Sequence, residues 1–405
     1  MLSRFISLAG LLVIIGLAWL MSSHRRTIPW RVIAGGLLLQ FALAVVVLKT
    51  DPGQWLFTTT GDLVTRLLDF VDVGAAFVFG PNFHEFPFAF KVLPTIIFFS
   101  SLMSVLYYFG IMQLVTRLFA VVMQRLMNTS GAESLASAAN IFVGPTEAAL
   151  VIRPYIASMT SSELMAVMIG GFANAAGGVL AVYVSMGMSA GHLITASLIS
   201  APASLLLAKV MEPELGEPVT RGRVKMEVDT SAANAIHAAA LGAAEGLKLA
   251  LTVGAMIIAF LALIAMLDAG IVWLGAQVGQ SWSLAAGLSY AFAPLAFVMG
   301  IEPADCLKVG ELLGIKVVAN EIVAFKQLAE WLEPDSLTHI SDRSRVIITY
   351  ALCGFSNLGT IGIQIGGIGP MAPEREGELA RFGLRAMLGG LLASCMTACI
   401  AGVLV

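Results

Sequence analysis

Apolar runs about as long as a bilayer is thick recur along the whole chain and predict an all-α polytopic membrane protein. About eight of these runs are predicted to span the membrane: 5–22, 31–48, 89–110, 163–187, 191–210, 250–275, 345–368 and 385–404. Residues 53–78 have apolar positions at helical spacing with charged residues between them, which predicts an interfacial amphipathic helix. An amphipathic stretch to about 127 follows the span 89–110 on the inner side, and a small-residue amphipathic run leads into the span 250–275. Helical-length apolar sequence also resumes at 283–300.

Positively charged loops set the predicted orientation. The loop between the first two helices has the densest short cluster of such residues: His24, Arg25, Arg26 and Arg31. Because loops of this kind remain in the cytoplasm, the N-terminus is predicted outside, and the first helix is interpreted as a transmembrane helix and not as a signal peptide. Two later segments are placed inside for the same reason: 211–232, with Arg221, Arg223 and Lys225, and 370–385, with Arg375, Arg381 and Arg385. Both termini are therefore predicted outside.

Two segments of membrane-spanning length are too polar to face lipid. The middle and end of residues 134–154 contain Asn140, Gly144, Pro145, Thr146, Glu147 and Arg153. A central carboxylate costs about 2.5–3.5 kcal/mol on insertion scales, and Gly-Pro breaks the helix. Residues 300–332 are similar, with Lys316, Asn320 and Glu321 near the middle. Both segments are predicted to be re-entrant helical hairpins shielded by protein, because irregular backbone is tolerated at that depth only there or beside a cavity.

An internal repeat follows the two hairpins. The sequence GFAN at 171–174 and the sequence GFSN at 354–357 each interrupt an apolar helix, and each is followed by a further hydrophobic helix. The predicted orientation brings the first hairpin in from the cytoplasm and the second from outside, so the two units are inverted. Paired broken helices in inverted halves are typical of a transporter binding site, since unwound backbone frees carbonyls for a cation and amides for a polar substrate.

The repeat divides the chain into four predicted parts. Residues 1–130 are mainly scaffold and interfacial helices. Residues 131–210 form the first transport repeat, with a hairpin, a broken helix and a further helix. Residues 211–282 hold a cytoplasmic segment and a scaffold helix, and residues 283–405 form the second transport repeat.

Composition excludes several other classes of protein. Of the 405 residues, 58% are hydrophobic and 12% are charged, about half the roughly 25% of soluble domains. The net charge of −3 gives no reason to expect a nucleic-acid partner. Histidines and cysteines form no HExxH or CxxC pattern. The sequence GMSAG at 187–191 fits G-x-S-x-G, but no strand precedes it and no His/Asp pattern accompanies it, so we interpret it as a turn and predict no enzyme.

At this point the motifs resemble those of a known family, the concentrative nucleoside transporters. The first hairpin, NIFVGPTEAALVIRP, is similar to that family's G-Q-T-E-A-P-L hairpin, and GIKVVANEIVAF at 314–325 to its G-x-K-x3-N-E-F-V-A signature. The segment 350–370, around the second break, also follows the family, and the resemblance covers roughly residues 90–405 in order. It implies cation-coupled nucleoside symport by an elevator-like movement, in a homotrimer embedded in the plasma membrane, which in bacteria is the inner membrane. It also implies no cofactor beyond the coupling ion.

The resemblance assigns roles to individual residues. Thr146 and Glu147 match positions that contact the nucleobase, and Val179 matches an apolar wall beside it. Glu321 and Asn357 match residues that hold the ribose hydroxyls. The whole set of expected substrate-binding residues is Thr146, Glu147, Val179, Glu321, Phe355, Asn357 and Thr360. The expected sodium ligands are Asn140, the Val143 carbonyl, Asn174 and the Ala175 carbonyl.

Three departures from the family leave alternatives open. Pro145 replaces a glutamine that reads the base, so another polar solute is an alternative substrate. Asn174 stands where serine is common in the sodium shell, although its side-chain oxygen can still be a ligand. Proton coupling is an alternative to sodium coupling. Ile322 replaces a phenylalanine and is interpreted as a packing change.

Each candidate residue also has a structural interpretation. Glu147 and Glu321 could form ion pairs with Arg153 or Lys316, and the two asparagines could link helices. Phe172 fits a core residue better than a binding one, while Phe355 fits either.

Overall fold

The structure is a computed structural model that describes residues 2–82, 88–222, 232–333 and 335–405. The described residues form helices and no strand. The α-helices are α1 (Leu2–Leu20), α2 (Trp30–Lys49), α3 (Asp51–Phe79), α4 (Leu93–Tyr108), α5 (Ile111–Met127), α6 (Gly131–Ala139), α7 (Pro145–Val151), α8 (Arg153–Ile156), α9 (Ser161–Ala173), α10 (Gly177–Ser185), α11 (Ala190–Met211), α12 (Ala235–Gln277), α13 (Leu284–Val298), α14 (Cys306–Val318), α15 (Glu321–Trp331), α16 (Asp342–Leu352), α17 (Leu358–Ile368) and α18 (Glu376–Leu404). The all-α membrane fold predicted from the apolar pattern is confirmed.

Seven helical stretches of the described chain are long and apolar enough to cross a membrane. They correspond to seven of the predicted spans, and one of them combines α9 and α10. The eighth predicted span, 345–368, is two helices of 11 residues each, α16 and α17, separated by a break. The segment 53–78 is helical as predicted, within α3, which begins where the Thr50 hydroxyl accepts a hydrogen bond from the Gly53 N–H; its interfacial location stays a prediction.

The small-residue run before 250 leads into the next span, as predicted, and the two form one continuous 43-residue helix, α12. Its alanines favour helix, and Gly242 and Gly246 let it lie against α4. A Cβ at Gly242 would stand 2.6 Å from the Ser100 carbonyl oxygen. The last helix begins at Glu376 within the predicted loop 370–385, since its first turn has acidic residues. Arg223 and Lys225 of the predicted inner segment lie outside the described residues.

Both predicted hairpins are present. The first consists of α6 and α7, joined by residues 140–144, and the second of α14 and α15, joined by residues 319–320. Each arm of the two hairpins is too short to cross a bilayer, so a hairpin that enters the membrane turns back within it. Ser130 begins α6 with a capping box completed by Glu133, and Thr160 begins α9 with one completed by Glu163. These caps satisfy the first free N–H groups of buried helices.

A buried ionic cluster holds the first hairpin against the helix that follows the first break. The Lys209 ammonium of α11 lies 2.7 Å from a Glu133 carboxylate oxygen and donates to the Ser162 hydroxyl at 2.9 Å. The Ser130 hydroxyl donates to Glu163, which connects the two capping boxes. Because Lys209 and Glu133 are almost fully buried, removing Lys209 would leave the Glu133 charge unpaired, and removing Glu133 would leave the ammonium with Glu214 alone, 3.1 Å away. The cluster therefore fixes α6, α9 and α11 relative to one another.

The breaks of the two repeats contact each other at the centre of the molecule. The Ser356 hydroxyl of the second break donates to the Phe172 carbonyl of the first at 2.9 Å. Gly354 has a φ of +120°, and a Cβ there would stand 2.5 Å from the Ala173 carbonyl oxygen. Only glycine adopts that conformation readily, so the close approach depends on it. The inverted repeats thus meet where both helices are interrupted.

Candidate functional site

The two hairpin tips, the two breaks and one face of α12 surround a cavity of about 120 Å³. All seven residues expected to bind substrate line it: Thr146, Glu147, Val179, Glu321, Phe355, Asn357 and Thr360. They come from α7, α10, α15, the second break and α17, so residues as far apart as 146 and 360 meet. The structure brings the whole set together, and the role of each residue stays a prediction.

A hydrogen-bonded group from the second repeat forms one wall. The Asn357 side-chain N–H donates to a Glu321 carboxylate oxygen at 3.0 Å. The amide oxygen of Asn357 accepts from the N–H and the hydroxyl of Thr360, at 2.9 and 3.1 Å, and so begins α17. With its amide fixed at both ends, Asn357 has one possible orientation. Glu321 lines the cavity, so its carboxylate can also accept from a hydroxyl there, with the Tyr183 side chain as a further neighbour.

The first hairpin supplies a second polar edge. Pro145 is the first residue of α7, where its missing N–H costs nothing, and Gly144 precedes it. The Thr146 hydroxyl donates to a Glu147 carboxylate oxygen at 3.0 Å, and Glu147 is exposed toward the cavity. This edge can accept hydrogen bonds from a planar polar group such as a base.

Apolar side chains complete the lining. Val179 of α10 is 1% exposed, and Phe355 is half-buried. Phe172, the corresponding aromatic of the first break, is fully buried and packs against Gly390 of α18 instead of lining the cavity. The core interpretation of Phe172 is confirmed, and Phe355 alone offers an aromatic surface from the two breaks.

Helix dipoles stabilise the two carboxylates. Glu147 and Glu321 each lie in the first turn of a helix, α7 or α15, where the N–H groups favour negative charge. Among the described residues neither carboxylate forms an ion pair within 4 Å. The ion-pair interpretation with Arg153 or Lys316 is therefore wrong: Arg153 is exposed, and the Lys316 ammonium donates to the Ala351 carbonyl at 2.8 Å.

The four expected sodium ligands lie where the tip of the first hairpin meets the first break. The Phe142 carbonyl of the tip accepts from the Gly177 N–H at 2.9 Å, which joins the two segments. In the described part of the chain, the carbonyl oxygens of Val143 and Ala175 accept no hydrogen bond.

The asparagines at this junction are buried with unpaired polar atoms. Both side-chain polar atoms of Asn140 and the amide oxygen of Asn174 have no partner, although these residues are 1% and 2% exposed. The Ser137 hydroxyl nearby is also unpaired. Unpaired buried polar atoms are rare, and each costs about 1–3 kcal/mol. A cluster of neutral oxygens at one point is what a hard cation requires, so these residues fit sodium. The alternative, that the asparagines link helices, accounts only for the Asn174 amide N–H, which donates to the Gly170 carbonyl.

The sequence did not reveal every residue of the cavity. Asn320 lies at the second tip, where its side chain accepts from the Val323 N–H and begins α15. A further wall comes from α12: Leu249, Thr252, Val253 and Met256. The hydroxyl of Thr252 in the largely apolar part of α12 was one available signal, but the apolar periodicity there could not say which face of the helix meets the cavity.

Two other kinds of site were considered, a metal-binding cluster and the G-x-S-x-G motif. Those residues contain no group of three or more His, Cys, Asp or Glu side chains placed to hold a metal ion. In GMSAG, Ser189 precedes α11 and its hydroxyl accepts from the His192 N–H, so it begins a helix, as expected for a turn.

Three family models match the chain. They are described as the Na+ dependent nucleoside transporter C-terminus, matching residues 192–402, the Na+ dependent nucleoside transporter N-terminus, matching 9–82, and nucleoside recognition, matching 89–190. Together they cover most of the chain.

Curated relatives are similar along nearly the whole chain. Sodium/nucleoside cotransporter 1 of Mus musculus is 42% identical over 99% of this chain, and solute carrier family 28 member 3 of Homo sapiens is 41% identical over 99%. The chain spans 64% of the mouse relative's length and 60% of the human one's. An uncharacterized transporter of Haemophilus influenzae is 42% identical, with 98% of this chain and 97% of that protein covered.

Solved structures have the same fold. CNTnw in an inward-facing substrate-bound state has a TM-score of 0.92 at 42% identity, covering 99% of this chain and 97% of that one. A doubly substituted CNTnw in an outward-facing state has a TM-score of 0.94, covering 99% and 98%.

Proposed function

This chain belongs to the Na+-dependent nucleoside transporter family, and we propose that it imports nucleosides by symport with sodium through alternating access. The observation that carries this proposal is the joining of two sites. A cavity with paired carboxylates and amides lies beside a buried group of unpaired neutral oxygens, and the break of the first repeat, residues 174–176, contributes to both. Binding at one site therefore orders backbone that the other site uses, which is what symport requires.

For the substrate, Glu321 and Asn357 bind the ribose hydroxyls, and Thr146 and Glu147 bind the base. The Glu321 carboxylate accepts from a sugar hydroxyl, while Asn357 holds it in place. Val179 and Phe355 cover the faces of the rings, with Thr360 beside the sugar. Pro145 offers no side-chain amide to the edge of the base, so recognition of that edge rests on Thr146 and Glu147.

For the ion, the oxygens of Asn140 and Asn174 and the carbonyls of Val143 and Ala175 coordinate sodium. The side-chain oxygens of the two asparagines are already removed from water in the protein, so a bound sodium converts unpaired atoms into paired ones. Sodium thereby stabilises the tip of the first hairpin against the break.

In this proposal the two transport repeats move relative to the remaining helices, which form a fixed scaffold. Residues 131–210 and 283–405 carry the expected substrate and sodium ligands, while 1–130 and 211–282, whose α12 forms one wall of the cavity, are the scaffold that contacts lipid in the plasma membrane, the inner membrane of a bacterium. The long helix α12 has few buried residues along its most apolar stretch, so it offers a surface for neighbouring copies in a homotrimer. Alternating access is an elevator-like displacement of the two repeats along that scaffold.

Uptake into proteoliposomes tests the proposal. Radiolabelled uridine and adenosine are offered with an inward sodium gradient, with sodium replaced by choline, and with a proton gradient instead. We expect concentrative uptake with the sodium gradient alone. Uptake driven only by the proton gradient would show that protons and not sodium are the coupling ion. Uptake of a different polar solute in place of nucleosides would show that the substrate is that solute. No uptake of nucleosides under either gradient would refute the proposal.

A further inference from the structure

Helix α10 runs from the proposed sodium site along the proposed substrate site. It begins directly after the expected sodium ligands of the first break, and the Gly177 N–H of its first turn donates to the Phe142 carbonyl of the first hairpin tip at 2.9 Å. Two residues later, Val179 lines the substrate cavity. Because a hydrogen-bonded helix of nine residues is stiff, a displacement at its start is transmitted to the side chains farther along it.

Tyr183 lies one turn after Val179, on the same face of α10. It is fully buried, and its ring stacks on Phe325 of the second hairpin, with 4.2 Å between the ring centroids and 28° between the ring planes. Phe325 itself lies one turn after Glu321, so Tyr183 packs along the face of α15 that presents Glu321. A helix of the first repeat therefore contacts the hairpin of the second repeat beside the proposed ribose site.

The Tyr183 hydroxyl is a buried donor beside Glu321. It forms no hydrogen bond of full geometry with any described residue, but the Glu321 carboxylate lies close enough to interact with it. Buried hydroxyls without a partner are rare, so a role for this one in the transport cycle is expected. A carboxylate has lone pairs for about four donors, which is enough for Tyr183, for Asn357 and for a sugar hydroxyl together.

We propose that Tyr183 is the residue through which the sodium site orders the ribose site. Sodium bound at Asn140 and Asn174 fixes the start of α10, and α10 then holds the Tyr183 hydroxyl where it donates to the Glu321 carboxylate. With Asn357 as a second donor, the carboxylate is fixed in the orientation that the nucleoside uses. Tyr183 is a positioning residue, since the cavity lining described above does not include it. The inference rests on the proposed function and names the contact by which one ligand strengthens the binding of the other.

Two tyrosines of the chain allow a matched comparison. Tyr183→Phe removes the hydroxyl and keeps the ring that stacks on Phe325, so the packing is preserved. Tyr350→Phe is the control: Tyr350 of α16 is equally buried, but its hydroxyl meets the His192 ring at 3.2 Å and not the second hairpin. Each substitution removes one buried hydroxyl, so a general loss of stability affects both variants.

Binding of uridine and sodium to the detergent-purified protein measures the coupling directly. Calorimetry gives the Kd for uridine without sodium and at saturating sodium, and the Kd for sodium without and with saturating uridine, with choline keeping the ionic strength constant. We expect saturating sodium to lower the Kd for uridine by about 50-fold in the wild type and in Tyr350→Phe, but only by about fivefold in Tyr183→Phe. Because coupling is reciprocal, uridine loses the same part of its effect on the Kd for sodium. The Kd for sodium without uridine stays within about twofold of the wild-type value in Tyr183→Phe.

Wild-type coupling in Tyr183→Phe would overturn the inference. So would equal weakening of all four dissociation constants, or an equal loss of coupling in Tyr350→Phe, because the hydroxyl would then be only structural. Failure of Tyr183→Phe to fold while Tyr350→Phe folds has the same meaning. If sodium has no effect on uridine binding to the wild type, the proposed symport is refuted instead.

A double-mutant cycle with Glu321→Gln tests whether the hydroxyl acts through that carboxylate. In the Glu321→Gln background, we expect Tyr183→Phe to change the coupling by less than about twofold, because the charged acceptor is already absent. A further loss as large as in the wild-type background would show that Tyr183 acts through another group, and the inference would fail.

Discussion

Replacing Glu321 by glutamine changes one oxygen of the carboxylate into an N–H₂ group and removes the negative charge at the centre of the cavity. Glu321 is 3% exposed, and one of its oxygens already accepts from Asn357 at 3.0 Å. A glutamine can keep that bond with its remaining oxygen, which leaves N–H donors facing the cavity. The substitution therefore tests the acceptor that the sugar hydroxyl is proposed to use, with little change in shape.

The expected loss follows from the strength of the bonds involved. A hydrogen bond to a charged group contributes about 1.5–3 kcal/mol and one between neutral groups about 0.5–1.5 kcal/mol. The difference of about 1–2 kcal/mol corresponds to a roughly 5- to 30-fold rise in the KM for uridine. Arg153→Lys is the control: Arg153 is exposed with no ion pair among the described residues, and we expect less than about a twofold change.

Deoxynucleosides make the assay specific. Uptake of uridine, 2′-deoxyuridine and 3′-deoxyuridine is measured for the wild type and for Glu321→Gln, as in a double-mutant cycle. If the carboxylate binds one of these hydroxyls, the nucleoside that lacks it loses nothing further from the substitution. The reasoning is refuted if both deoxynucleosides lose as much as uridine does, or if Arg153→Lys is impaired as strongly as Glu321→Gln.

Three further expectations concern the ion, the breaks and the outer end of the second hairpin. Asn174→Ala removes one oxygen from the sodium site, so the sodium concentration for half-maximal uptake rises by about tenfold, while the uridine KM at saturating sodium hardly changes. Gly354→Ala places a Cβ at 2.5 Å from a carbonyl oxygen at a φ of +120°, which costs about 1–3 kcal/mol and lowers the melting temperature, whereas Gly362→Ala, with nothing within 4 Å, does not. Burial raises the pKa of Asp305, but the Ser341 N–H and a neighbouring lysine outweigh it and hold that pKa below its usual value. The folded protein thus gains stability above the unfolded pKa of about 3.9 and loses it as the pH falls further, so acidification lowers the melting temperature of the wild type more than that of Asp305→Asn.

Local chemistry made the hairpins and breaks predictable. Gly144-Pro145 breaks a helix, the glycine and asparagine of the repeated sequences at 171–174 and 354–357 weaken one, and a carboxylate beside the hairpin tips cannot face lipid. The sequence therefore locates both breaks to within a few residues, although α9 continues through Gly171 to Ala173 before it ends. The order of the two units along the chain and the charged loops then gave their inversion. The family resemblance, in turn, named the residues that the fold gathers into one cavity.

Contacts between distant helices were not predictable in the same way. The apolar pattern of α12 does not distinguish the face around Thr252 from the faces that meet α4 or lipid, because apolar residues predominate on every side of this part of the helix. The continuity of α12 through residue 235 also depends on Gly242 and Gly246 packing against α4. Likewise, the sequence offered Lys316 as an ion-pair partner of Glu321, and only the arrangement of α16 and α18 gives it the Ala351 carbonyl and Ser394.

The contact between the two breaks has a consequence for how sequences of this kind can diverge. Ser356 donates to the Phe172 carbonyl, and Gly354 lies against the Ala173 carbonyl, so each repeat is part of the other's packing surface. A duplicated gene normally frees one copy to vary. Here a larger side chain at 354, or a backbone shift at 172–173, changes the packing of the opposite repeat directly. We therefore expect homologues to change these positions together, so that the two halves evolve as a matched pair although their functions have separated.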